Sequence, residues 1–360
     1  MITRLQHIII INVLIIIQSN ATDWYRNDEM LTLYEAMTKI SAESLYTDAK
    51  RVIPSDIIKN HIYKIDEYGD YFTKEEYKAF QEILVNEYAG IGMILYQEKR
   101  NEKILCIPTT DQLSQKGIVQ YDELVSVDGR YVEEKNVYLV SSWIRGRKNS
   151  SVTLSLKKSS GEIKTITMKR TEQEFHSVQR IIDNNTAMIQ IIRFVSETPN
   201  ELLRILQQWP KNIPIVIDLR GNGGGDFFAA VKSADLLLPK KSLIATMETT
   251  KLSTDYYASS PDLIQGRPVF ILQDEHTASA AEVFMAALTQ NNRVESIGKR
   301  SLGKGVAQKF IPLDNGDALL LTYGKIITPN GKSYHKLGLE PTSNLSLEAL
   351  LEMTNETNIF

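Results

Sequence analysis

Two short segments hold the residues of this chain best suited to chemistry. Thr277-Ala278-Ser279-Ala280-Ala281-Glu282 places a serine hydroxyl just ahead of a helix-forming run. Gly303-Lys304-Gly305-Val306-Ala307-Gln308 places a lysine between two glycines, with a carboxamide further on. A serine hydroxyl is a weak nucleophile until a neighbouring base takes its proton. A lysine can be that base if its surroundings keep it neutral. Its ordinary pKa is about 10.4, so neutrality near pH 7 asks for a shift of about three units, on the order of 4 kcal/mol. Burial among apolar neighbours is the usual source, and Leu302 and Val306 are the expected ones. Each segment also has a plainer reading. Ser279 or Thr277 can be a helix cap, with Glu282 completing a capping box, and Lys304 can be a surface lysine.

A third element is Gly221-Asn222-Gly223-Gly224-Gly225. Its glycines let the backbone approach a ligand and turn N–H groups toward an anion, or simply make a tight strand-to-helix turn. Two competing motifs fail. Gly298 to Lys304 matches most of a phosphate-binding GxxxxGK, but Gly305 stands where the magnesium-binding Ser or Thr belongs, and a strand rather than a helix is expected next. No GxSxG elbow exists for a Ser-His-Asp arrangement, and His276 lies too near Ser279 along one loop to reach its hydroxyl easily.

Composition is that of an ordinary globular protein, with 42% hydrophobic and 24% charged residues. A net charge of −3 gives no footprint for nucleic acid. The single cysteine, Cys106, excludes an internal disulfide, and the scattered histidines suggest no metal or cofactor. Arg4 and His7, an apolar run over residues 8–17 and the exit Ser19-Asn20-Ala21 have the build of a secretory signal. The mature chain is therefore expected outside the cytoplasm, in a bacterial periplasm or beyond. An uncleaved signal would leave residues 8–17 as a membrane anchor, though ten residues of helix reach only about half of a roughly 30 Å hydrocarbon core.

Those chemical segments need elements to position them. Residues 22–88 read as helical, with Leu31, Leu33, Tyr34, Met37 and Ile40 at helical spacing and a threonine cap at Thr73. Residues 89–171 read as a small β-rich module containing one helix from Val137 to Arg145. Val152–Leu156 and Thr165–Met168 pair in it around Ser159-Ser160-Gly161. Residues 172–345 read as mixed α/β, and residues 346–360 as a tail. Ile213 to Leu219 is apolar enough for a strand buried on both faces, and Pro268 to Leu272 is a second such strand. Helices follow the glycine run and Ser279, and strands are expected from Lys309 to Leu313 and from Ala318 to Tyr323.

Taken together, these segments resemble the C-terminal processing peptidases, or tail-specific proteases. Ile217-Asp218-Leu219-Arg220-Gly221-Asn222-Gly223-Gly224-Gly225 is similar to the family's LDLRxNxGG, Thr277–Glu282 to SASASE, and Gly303–Gln308 to GKGxxQ. Ala89-Gly90-Ile91-Gly92-Met93 resembles the entry to the family's PDZ domain, and Gln115–Gly129 its following stretch, with Gln120-Tyr121-Asp122 where a glycine usually precedes the aspartate. Thr328-Pro329-Asn330-Gly331 and Gly338-Leu339-Glu340-Pro341 fit the closing segment. No single motif decides, but their order and spacing do.

The resemblance implies an α+β multidomain chain: a helical N-terminal region, a PDZ-like β-rich module and a mixed α/β catalytic core of the ββα-spiral (crotonase/ClpP-like) type. It implies Ser279 as nucleophile, Lys304 as general base and Gln308 as the residue orienting it. The N–H groups of Ala280 and of Gly225 or Gly224 would form an oxyanion hole. The backbone of Gly90, Ile91, Gly92 and Met93 would take the carboxylate of a protein substrate's free C-terminus. Homo-oligomers, with residues 22–88 at the contact, are a further implication. The contrasting class is an inert PDZ-containing scaffold. The intact Ser, Lys and Gln set speaks against it.

Overall fold

A computed structural model describes residues 27–43, 54–83, 88–97, 102–173, 176–183, 186–210, 214–264, 266–346 and 348–350. The expected signal segment lies outside the described residues, as does most of the expected tail. Among the described residues no helix is long and apolar enough to cross a membrane. The chain divides into two compact units after Lys64.

The first unit carries helices α1 (Asn27–Glu43) and α2 (Pro54–Ile65). Pro54 opens α2 at the position where its missing N–H costs nothing, and Asp56 and Lys64 sit at the dipole ends that suit their charges. On α1, Leu31 and Leu33 of the helical stripe are exposed.

The second unit opens on a turn, Asp66–Gly69. Asp66 closes it twice, its Oδ1 accepting the Tyr68 N–H at 3.1 Å and its carbonyl accepting the Gly69 N–H at 3.1 Å. Strand β1 (Asp70–Phe72) and helix α3 (Lys74–Ile83) follow. The expected threonine cap is present: Thr73 Oγ1 accepts the Glu76 N–H at 3.4 Å, and Glu76 Oε2 accepts the Thr73 N–H in return at 2.9 Å.

The β-rich module runs through β2 (Tyr88–Gly90), β3 (Met93–Tyr96), β4 (Leu105–Pro108), α4 (Asp111–Gln115), β5 (Asp122–Val127), β6 (Arg130–Tyr131), α5 (Val137–Ile144), β7 (Ser151–Lys157), β8 (Ile163–Lys169) and β9 (Thr171–Gln173). Its sheet has the order β3-β4-β5-β7-β8, with β6 on β5, and β2 pairs with β9 where the chain enters and leaves. Alternation drives its core. Val152, Leu154 and Leu156 of β7 point inward with Leu124, Val127, Val140 and Ile144. Asn136 caps α5, its Oδ1 accepting the Tyr138 N–H at 2.8 Å. Strand β3 is an edge of the sheet, and α5 lies beside it.

The remainder is mixed α/β: β10 (Val178–Asp183), β11 (Thr186–Ile191), α6 (Thr198–Gln208), β12 (Ile215–Asp218), α7 (Phe227–Asp235), β13 (Leu243–Thr249), β14 (Ser253–Tyr257), β15 (Val269–Gln273), α8 (Ala280–Gln290), β16 (Glu295–Gly298), β17 (Val306–Pro312) and β18 (Ala318–Ile327). One sheet has the order β10-β11-β12-β15-β16 and is parallel from β11 onward. Every residue of β12 is buried, as its apolar run predicts. The other sheet is antiparallel, β1-β18-β13-β14, with β17 also on β18. Ile217 and Ile271 of the first sheet share one core with Phe284 and Leu288 of α8 and with Met247 and Ile326 of the second.

Two expectations need correction. The β13–β14 hairpin is absent from the sequence reading, and β18 continues past Tyr323 to Ile327. Both have one cause: Thr246 to Thr249 of β13 pair with Ile327 to Gly324 of β18. A long-range ladder thus stabilises segments whose local pattern is only weakly strand-like.

Candidate active site

Ser279 sits where β15 has ended and α8 begins. Its backbone is strained, with φ 57° and ψ −119°, a region that side chains other than glycine rarely enter. Two neighbours hold it there. Glu282 Oε2 accepts the Ser279 N–H at 2.8 Å, so the capping reading is correct as far as it goes. On the other side lies Gly224. A Cβ added to Gly224 would stand 2.7 Å from Ser279 Cβ and 2.8 Å from the Ala278 carbonyl, so only glycine lets the loop rest against the serine.

The glycine loop is pinned by a residue to which the sequence reading gave no role of its own. Asn222 is fully buried. Its Nδ2 donates to the Ile191 carbonyl at 2.7 Å, its Oδ1 accepts the Gly224 N–H at 2.9 Å, and its carbonyl accepts the Ala278 N–H at 2.9 Å. One asparagine therefore joins β11, the glycine loop and the serine loop. Thr277, offered by the sequence only as a helix cap, donates from Oγ1 to the Leu219 carbonyl at 2.9 Å, and its own carbonyl accepts the Leu302 N–H at 3.0 Å.

The lysine loop meets the serine on Glu282. This side chain is completely buried. Its Oε1 accepts from Ser301 Oγ at 2.6 Å and from the Gly303 N–H at 2.7 Å. Its Oε2 accepts the Lys304 N–H at 2.8 Å, beside the bond from Ser279. Burial pushes the Glu282 carboxyl above its ordinary range, and these four bonds pull it back in part. Burial, and after it the Glu282 charge, holds the Tyr334 hydroxyl well above the usual phenol range.

The surroundings of Lys304 differ from expectation. Leu302 does not bury the amine; it is 50% exposed. Its backbone is committed to Thr277, and the glycine after it turns the loop at φ 92°. Instead, Lys304 Nζ lies 4.9 Å above the ring of Tyr68, in the turn that opens the unit. Gln308 falls inside β17, which begins earlier than expected, next to a register shift. Its Nε2 faces Thr322 Oγ1 at 3.4 Å, and Thr322 Oγ1 donates to Asp66 at 2.9 Å.

Of the oxyanion candidates, Gly224 has its N–H committed to Asn222. Gly225 differs: the bonds to Phe194 on either side of it are made by the Gly224 carbonyl and the Asp226 N–H. Ala280 is the first residue of α8, where an N–H has no partner within its own helix. Gly90, Ile91, Gly92 and Met93 form the bend from β2 into β3, with Gly92 at φ 72° and its carbonyl accepting from Thr109 Oγ1 at 2.7 Å. His276 is exposed on the serine loop, and its ring lies 6.0 Å from that of Tyr121 in the β-rich module. Tyr121 adopts φ 70°, a left-handed backbone that favours glycine.

Residues 185–345 match the model of Peptidase family S41. The chain is 31% identical over 289 residues to the carboxy-terminal processing protease CtpA of Bacillus subtilis, covering 79% of this chain and 62% of that one. It is 31% identical over 290 residues to a probable CtpA-like serine protease of Staphylococcus haemolyticus, covering 78% of this chain and 57% of the relative. The chain thus spans about three-fifths of the length of these relatives. In fold it resembles a solved photosystem II D1 C-terminal processing protease, with a TM-score of 0.63 at 21% identity and 90% of both chains covered.

Proposed function

The chain belongs to peptidase family S41, and on that premise we propose that it is an exported serine endopeptidase that cleaves proteins near their C-termini with a Ser-Lys dyad. Ser279 Oγ attacks the scissile carbonyl carbon while Lys304 Nζ takes the hydroxyl proton. The N–H groups of Gly225 and Ala280 receive the oxyanion, with the N-terminal end of α8 behind them. Gly224 is left out because Asn222 already holds its N–H. The protonated lysine then donates to the leaving amine. Water, deprotonated by the same lysine, releases the acyl group from Ser279. Gln308, turned by Thr322, orients the lysine.

The observation that carries this reading is the shared carboxylate. Glu282 Oε2 receives both the Ser279 N–H and the Lys304 N–H at 2.8 Å, which fixes the two segments to one point. A solitary helix cap gives no reason for the second bond. Replacing Ser279 or Lys304 with Ala should abolish cleavage of a protein with an unstructured tail while circular dichroism stays unchanged. Near wild-type activity in Lys304→Ala would sink the dyad. Because the base must be neutral, kcat/KM should rise with pH, and a flat profile from about pH 5 to 9 would count against it.

The β-rich module serves in this reading as a PDZ domain that recruits the substrate's tail. The edge strand β3 with α5 beside it supports that role. An extended tail would add to β3, and the bend at Gly90–Met93 would take its carboxylate. Amidating the substrate's C-terminus should raise KM and leave kcat in place. An extracytoplasmic location rests on the pattern of residues 1–21.

A further inference from the structure

The sequence places the candidate base on a loop whose neighbouring leucine was expected to shelter it, and the structure turns that leucine outward. What meets the amine is an aromatic face. Lys304 Nζ stands 4.9 Å from the centroid of the Tyr68 ring, within the roughly 6 Å at which a ring attracts a cation. The turn that carries Tyr68 is built to stay put. Asp66 closes it from within. Asp66 also fastens it to β18, accepting the Thr322 N–H at 2.6 Å and the Thr322 hydroxyl at 2.9 Å. Glu67 adds an ion pair with Lys336 at 2.8 Å. The tyrosine is therefore held against the lysine by a segment that precedes the whole β-rich module and shares no motif with the dyad.

We propose that Tyr68 is a positioning residue for the base, its ring face holding the Lys304 ammonium and setting the pH at which that lysine becomes neutral. The proposal rests on the dyad reading above. A ring face binds the charged lysine and does not bind the neutral amine comparably, so it works against deprotonation. It also confines the amine to one place over the ring.

Other groups around the loop also bear on its charge. Glu282, from α8, accepts the Lys304 N–H. The backbone of His335 presses on Gly305, the His335 ring lies 5.9 Å from that of Tyr68, and its Nε2 stands 3.7 Å from Glu67. Lys336, Asp66 and the buried Tyr334 also lie around it. The Tyr68 face against the ammonium is what the test isolates.

The experiment compares Tyr68→Phe, which keeps the face and loses the hydroxyl, with Tyr68→Leu, which keeps apolar cover and loses the face. The first readout is the pH profile of kcat/KM. The second is the rate of Lys304 acetylation by acetic anhydride across pH, followed by mass spectrometry in a Ser279→Ala background, which reports the lysine even in a variant without activity. Tyr68→Phe should superimpose on the parent in both. Tyr68→Leu should move the midpoint down by about half a pH unit or more and lower kcat at the alkaline plateau. An unchanged midpoint in Tyr68→Leu, or a midpoint moved upward, overturns the proposal. So does an equal shift in Tyr68→Phe, which would assign the effect to the hydroxyl. Activity surviving in Lys304→Ala would instead remove the dyad itself, so the two failures are distinguishable.

Discussion

Glu282 accepts four hydrogen bonds, and each of its oxygens serves the lysine loop. Glu282→Gln keeps the shape but puts an amide donor where an acceptor stood, which leaves a buried N–H unmatched at about 1–3 kcal/mol. We expect kcat to fall by roughly ten- to a hundredfold with little change in KM, as misplacement of reacting groups does. Steady-state kinetics decide it. Burial raises this carboxyl, so its ionised form is costlier in the folded chain than in the unfolded one. Its contribution is fully present below the ordinary value of 4.5 and is lost as pH rises through the raised one. Urea titrations should show that loss in the parent and its absence in Glu282→Gln. The Ser279 backbone makes a separate prediction. Ser279→Gly and Ser279→Ala should both be inactive, yet only glycine relieves the strain at φ 57°, so it should be more stable than alanine by about 1 kcal/mol. Equal unfolding midpoints would mean the position is not strained. The serine and lysine were legible by type and spacing. The second half of Glu282's work was not, because its partners Ser301, Gly303 and Lys304 are distant along the chain.

At the scale of elements, the glycine run reads in the sequence as one unit, an anion-facing loop or a tight strand-to-helix turn, and the structure gives its members different duties. A Cβ on Gly225 would fall 2.0 Å from the Phe194 carbonyl, whereas one on Gly223 would meet nothing within 4 Å. Gly225→Ala should therefore destabilise the fold by about 1–3 kcal/mol and abolish activity, while Gly223→Ala should be nearly neutral in both. Thermal unfolding and a cleavage assay on the pair test this. The buried strands β12 and β15 and the helix α8 were legible because continuous apolar runs and a capping pattern are local signals. The β13–β14 hairpin was not. Its outward strand reads Ser253-Thr254-Asp255-Tyr256-Tyr257 with exposed and half-buried residues alternating, and its place comes from pairing with β13, which in turn pairs with β18. Tyr68 was invisible for the same reason: nothing near it in sequence announces a lysine far down the chain.

Across the second unit, aromatic side chains tie the β-rich module to the strand that leaves the lysine loop. Phe310 of β17 lies 4.2 Å from Phe80 of α3, and Phe80 lies 5.0 Å from Tyr138 of α5, by ring centroids. Tyr121 and His276 make another such contact, on the serine side. Tyr121→Ala should leave kcat on a short peptide without a recruiting tail unchanged and lower kcat/KM on a tailed protein by about two- to tenfold, the range of a lost exposed ring contact. Equal losses on both substrates would show that the contact serves the serine loop itself. The carboxylate of Glu282 has a last consequence, for transplantation. A serine and a lysine copied at their spacing onto another scaffold would lack the acid on which both backbones end. The smallest portable piece of this chemistry is two segments sharing one buried carboxylate, with Asn222 locking the glycine loop against the serine segment.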